Sequence, residues 1–319
     1  MSKFVACVAV ASIFVLAGVL VSADVPPASS DSDARLRQMR IFPPNDPWNQ
    51  DISTKPVDPD SAKILKRIGL NKPLHPDFGT PYNGAPNGIP YVVVSGNQPR
   101  VPVTFDYADE SDPGPYPIPP DAPIEGGPTA TDGDRHVIVI DADNNKLYET
   151  WSSVRQNNGT SWTAGSGAIF DLKTDKPRPA GWTSADAAGL PIFPGLTRYD
   201  EVVNLKAIRH ALRFTVQKTR RAYVAPARHF AAKSNDADLP PMGMRVRLKA
   251  SFDLTNYPPE SKVILQALKT YGMILADNGS DWYLSGSPDP NWDDEDLGHL
   301  KHVKGSDFEV VSMGEMVTR

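Results

Sequence analysis

The chain carries a single cysteine, Cys7, and it lies inside an apolar N-terminal run. Beyond that run there is no thiol, which excludes disulfides, cysteine nucleophiles and zinc–thiolate sites. Positive charge is also short. Lys and Arg number 33 against 38 Asp and Glu, a formal charge of −5, and the basic stripe that nucleic-acid binding needs is missing. No P-loop, dinucleotide fingerprint or G-x-S-x-G elbow occurs, so phosphate-cradling and serine-triad chemistry lack support. Gly165-Ser166-Gly167 reads as a strand bulge. No repeat with a period of 20–50 residues is present, so a solenoid or propeller is excluded.

What the chain does have begins with a targeting pattern. Lys3 precedes the apolar run 4–20, and Val21-Ser22-Ala23 forms a small-residue cleavage signal before Asp24. The flank Asp24-Val-Pro-Pro is not a basic stop-transfer segment. Secretion, with no membrane anchor after cleavage, is therefore the expectation, and the mature protein is periplasmic or extracellular. Residues 24–40 read as a flexible leader and 41–319 as one domain. Proline is abundant at 32 residues, and much of it lies in 41–125. That segment is expected to wrap the domain in extended form, because proline removes ladder donors and restricts the residue before it.

The element pattern is mainly β. Strands are expected at 90–95 and 101–105, and 136–140 and 146–151 form a hairpin around an Asp/Asn turn. A single strand with a glycine bulge is expected over 162–171. Two more hairpins are expected, 208–216 with 221–230 and 273–277 with 282–285, with further strands at 244–252 and 308–311. Helices are expected at 61–68, capped by Ser61, and at 258–271, opened by proline and stopped by Gly272. Many short strands with one or two short helices and long Pro/Gly-rich loops predict a jelly-roll-like β-sandwich.

Four runs are long and distinctive: GWTSADAAGLPIFPG at 181–195, RYDEV at 198–202, HALRF at 210–214 and YGMILADNG at 271–279. They resemble a family of secreted bacterial proteins to which no activity is attached, and the similarity spans about Phe42 to Val311. The resemblance implies a bacterial exported setting and brings no substrate, cofactor or catalytic residue.

The candidate chemistry lies between 134 and 214. Glu149 sits mid-strand between Tyr148 and Trp151, where a solvated carboxylate is unexpected. It is the candidate acid/base for glycan hydrolysis, with Asp186, Asp200 or Glu201 as the second carboxylate such a site needs. His136 and His210 are candidate proton-transfer groups, and His136 lies across the expected hairpin from Glu149. Arg135, Arg198 and Arg209 are candidate substrate holders. Trp151, Trp182 and Tyr199 offer faces for sugar rings, and Trp182 and Trp292, in polar loops, are expected to be exposed. No cofactor is expected. A metal on His136, His210 and His229 has the right ligand types but no diagnostic spacing. Asp141–Asn145 lacks the EF-hand glycine and terminal Glu and reads as a plain turn, and 289–296 as an acidic loop. The function expected is a secreted polysaccharide hydrolase or lyase; the alternative is a non-catalytic glycan- or cell-wall-binding protein. A third reading makes the central polar residues an internal network that holds the loop 184–200. Oligomeric state is not legible.

Overall fold

The computed structural model describes residues 30–318, so the targeting segment 1–23 lies outside the described residues. The elements in chain order are α1 (Ser30–Gln38), α2 (Ser61–Ile68), β1 (His75–Asp77), β2 (Tyr91–Val94), β3 (Val103–Phe105), β4 (Val137–Asp141), β5 (Lys146–Trp151), β6 (Val154–Gln156), β7 (Ser161–Ala164), β8 (Ser166–Asp171), β9 (Leu212–Val216), β10 (Tyr223–Val224), β11 (Arg245–Leu248), α3 (Pro259–Thr270), β12 (Met273–Asn278), β13 (Tyr283–Ser285), α4 (Asp294–Gly298), β14 (Phe308–Val310) and β15 (Met316–Val317). The chain is mainly β, in several mixed sheets. The largest has the order β1-β13-β9-β12-β11-β14, the second β2-β4-β5-β8, the third β3-β7-β6, and β10 pairs with β15. Parallel pairs join β1 to β13, β9 to β12, β2 to β4 and β3 to β7. The antiparallel ladder of a jelly roll does not contain such pairs.

Strand β4 shows how the layers form. It is buried along its whole length, and its alternating side chains serve two cores. Ile138 and Ile140 join the main core, shared with Leu212, Phe214, Leu275 and Trp282 of the six-stranded sheet region. Val137 and Val139 face a smaller core with Val101, Tyr116, Ile118 and Ile124. Residues of the Pro-rich segment thus pack on the second face of this sheet.

Four expectations differ. The strand over 162–171 is broken at Gly165 into β7 and β8, which belong to different sheets. A Cβ at Gly165 would lie 2.3 Å from the Trp151 ring, so the close approach there needs glycine. The two late hairpins do not form, because β9 inserts between β12 and β13: Phe214 is opposite Leu275 on one side and Leu284 on the other. The described part of the leader is helical, with Leu36 of α1 buried in the main core. Ser61 is the first residue of α2 rather than its cap, and its Oγ accepts from Val310 N at 2.9 Å. No helix among the described residues is long and apolar enough to cross a membrane.

Candidate functional site

Between the two larger sheets runs the loop 184–198, nearly all of it buried. A buried loop must find partners for every backbone group, because water is not there to supply them. Glu149 and His136, singled out in the sequence, are among those partners. Glu149, fully buried on β5, accepts from Ile192 N at 2.9 and 3.0 Å and from Phe193 N at 2.8 Å. His136, just before β4, meets Ala185 O through Nε2 at 3.1 Å. Asp277 at the end of β12 accepts from Ala187 N, and Ser166 Oγ donates to Ser184 O. Gly189 takes φ +69°, and a Cβ there would lie 2.5 Å from Trp182 O, so the turn requires glycine.

Asp186, at the loop's centre, holds Arg213 of β9. Arg213 Nε donates to Asp186 Oδ2 at 3.0 Å, Nη2 to Oδ1, and Nη1 to Ser285 Oγ. Both members of the pair are buried. Ser285 is opposite Asp77 in register, so β1 brings Asp77 onto the same row. Burial raises the Asp77 carboxyl, with Glu125 raising it further.

Asp77 is exposed, and a second carboxylate that opens to solvent, Glu125 in the Pro/Gly-rich segment, touches this group. Its side chain is 24% exposed and its Oε2 lies 2.6 Å from His136 Nδ1. The segment is fastened here by Glu125 N donating to His136 O. Both nitrogens of His136 face acceptors, so both carry protons. Burial draws its pKa down, but the charge and hydrogen bond of Glu125 outweigh that and hold it at about 9. For Glu125 burial acts upward, and His136 overcomes it and lowers the carboxyl. Glu149 is raised to about 7 by desolvation, and Asp277 to about 7 by desolvation and then by Asp186. At the rim, Trp151 Nε1 donates to Asp134 Oδ1 at 3.0 Å. Tyr107, 52% exposed, has its ring centroid 6.4 Å from that of Trp151.

His210 does not join this group. It precedes β9, and its Nε2 meets Glu201 Oε2 at 3.0 Å while Nδ1 faces Ala211 O. Glu201 also binds Arg198 Nη2 at 2.7 Å, and Arg198 lies over the Phe193 ring at 4.7 Å. His210 and Arg198 therefore form a second buried knot on the loop's other flank. Arg135 is buried and donates to Ser153 O and Ala130 O, holding the turn before β4. Arg209 is exposed, Trp182 is half-buried beside Arg178, and Tyr199 packs edge-on to Trp292. Trp292 is buried rather than exposed, with Nε1 donating to Ser287 O. His229 meets Ala187 O, so the three histidines have separate partners, and among the described residues no three His, Cys, Asp or Glu side chains are grouped to hold a metal. The Asp141 turn is closed by Asn144, as a plain hairpin turn is. Glu125, Asp77, Arg213 and Asp277 escape sequence reasoning. Arg213 and Asp277 leave one faint signal, a charge set in an otherwise apolar strand.

The shifts set the pH response. A raised His136 contributes stability that is complete below its unfolded value of 6.5 and lost as pH rises through about 9. Glu149 and Asp277, also raised, lose theirs as pH rises through about 7. The lowered Glu125 and Glu201 act oppositely, contributing above the unfolded carboxylate value and losing it only in acid. Stability should peak near pH 5 and fall steadily toward pH 9. Urea midpoints at pH 5, 7 and 9 check this; midpoints that rise across the series would contradict it.

No family model, curated protein or solved structure matches this chain.

Proposed function

We propose that this protein is exported and acts on an extracellular polysaccharide as a hydrolase or lyase, with Glu125 and Asp77 as its working carboxylates. The observation that carries this reading is the Glu125–His136 pair at 2.6 Å, open to solvent on the carboxylate side. Acid/base chemistry on a glycosidic bond needs two carboxyl groups whose environments push their pKa values apart. Glu125 is lowered, the direction a base or nucleophile needs, whereas Asp77 is raised, the direction a proton donor needs. Arg213 and His136 lie close enough to Glu125 to stabilise its charge. Tyr107 and Trp151 offer the aromatic edge on which a sugar ring stacks. Glu149 and Asp186 hold the loop beneath that pair. The two larger sheets are the sandwich-like support, and the motif runs are consistent with membership of the exported bacterial family they resemble. No cofactor enters this scheme.

The test is product release from a broad polysaccharide panel by the wild type, Glu125→Gln and Asp77→Asn. Each variant should lose about 10²-fold or more in turnover, the usual worth of an acid/base group. A non-catalytic glycan binder is the second reading, favoured by the half-open Tyr107–Trp151 pair. Binding without products, unchanged in Glu125→Gln and lost in Tyr107→Ala, would establish that reading instead.

A further inference from the structure

A second site stands apart from the Glu125–His136 group and shares no residue with it. Arg245 of β11 reaches under the extended segment 47–55. Its Nε donates to Tyr271 O at 2.8 Å, Nη1 to Pro47 O at 2.7 Å, and Nη2 to Gln50 O at 2.9 Å and to Tyr271 O. Every acceptor is a backbone carbonyl. The nearby carboxylates are engaged elsewhere: Asp46 accepts from Trp48 N and Asp51 from Ser53 N, each at 2.8 Å. A guanidinium carries five N–H groups, so one N–H of Nη1 remains for another acceptor. Most buried arginines are neutralised by a carboxylate, because an uncompensated buried charge is costly. Arg213, Arg198 and Arg247 in this protein follow that rule. Arg245 does not, and burial pushes its pKa down to about 10.

Beside this guanidinium is a half-open cavity of about 170 Å³. Its walls include Ile52, Pro226, Val311 and Met313, and Lys55 stands with Arg245 among the lining residues. Lys55 is exposed, with Gln50 Oε1 3.5 Å from its ammonium. The segment 312–314 forms one side and leads into β15, whose pairing with β10 fixes that wall. The volume equals that of about six liquid waters at ~30 Å³ each, room for a molecule of roughly that many heavy atoms. One face is cationic, with Asp46 and Asp51 acting on Arg245 only through space, and the remaining wall is largely apolar, with Gln50 and Ser312 as polar exceptions.

We propose that this cavity is a binding site for a small aliphatic monocarboxylate, its carboxylate on Arg245 and Lys55 and its chain against Pro226 and Met313. A carboxylate supplies the acceptor that the free Nη1 N–H lacks and the charge that the carbonyls do not. The alkyl part covers wall that water wets poorly.

Isothermal titration of the full chain with sodium butanoate tests this, with butylammonium and inorganic phosphate as the comparison probes. Butanoate should bind with a dissociation constant on the order of 1 mM, and butylammonium should not bind. Lys55→Glu, at an exposed position with one long hydrogen bond, should fold normally and weaken butanoate by about tenfold or more, the worth of one charge-assisted contact. Arg245→Gln should abolish binding; because Arg245 also clamps 47–50, the Lys55 variant keeps the test independent of folding. No binding of butanoate to the wild type, equal binding of butylammonium, or butanoate affinity unchanged in Lys55→Glu would overturn the site. Phosphate binding tighter than butanoate would overturn the aliphatic part of the assignment.

Discussion

Replacing Asp186 by alanine should destabilise the protein by about 4 kcal/mol, because it strands a charged guanidinium in the interior. Arg213 is buried to 4% exposure and Asp186 to 1%, so water cannot replace the lost carboxylate. Two hydrogen bonds go with it, leaving Arg213 only the bond from Nη1 to Ser285. Glu125 and Asp277 still act on Arg213 through space, yet neither makes a hydrogen bond to it. The loss is a penalty for isolation rather than the worth of the pair, and a double variant separates the two. Asp186→Leu with Arg213→Met removes both charges, keeps the volume close, and should recover to within about 1 kcal/mol of the wild type. Urea unfolding of the three proteins measures this. A single variant that loses less than about 1 kcal/mol would mean that the pair is solvated.

Glu149 should separate alanine from glutamine sharply. Glu149→Ala leaves the N–H groups of Ile192 and Phe193 without acceptors in a buried site, at about 1–3 kcal/mol each, so a total loss of about 4 kcal/mol is expected. Glu149→Gln keeps a carbonyl oxygen where Oε1 accepts from both amides, and should cost about 1 kcal/mol or less. It also removes a group whose pKa stands at about 7, so the fall in stability between pH 5 and pH 7 should flatten. Hydrogen exchange at Ile192 and Phe193 gives the local readout: protection lost in the alanine variant and kept in the glutamine variant. Equal losses in both would contradict the role of Glu149 as acceptor for the loop.

Much of the scaffold was legible where its cause is local. The β4–β5 hairpin follows from an apolar run, an Asp/Asn turn and a second run, and α3 from proline at its start and glycine after its end. The central stretch was legible as polar and buried, since Glu149 lies on a strand, and His136 just before one, with few other charges. Their role was not, because the residue types that do acid/base chemistry are also those that satisfy a buried backbone. What places β9 between β12 and β13 is a long-range pairing that no window of sequence carries. Glu125 escaped for a similar reason: it sits in a Pro/Gly-rich segment without periodicity, and only the Glu125–His136 backbone bond brings its carboxylate to the imidazole.

The most direct measurement is turnover of a responsive polysaccharide by Glu125→Gln and Glu149→Gln, side by side, with both shown to be folded by near-UV dichroism. Glu125→Gln should lose about 10²-fold or more, and Glu149→Gln should stay within a few-fold of the wild type. Full activity in Glu125→Gln together with an inactive, folded Glu149→Gln would contradict the assignment and return the chemistry to the buried carboxylate.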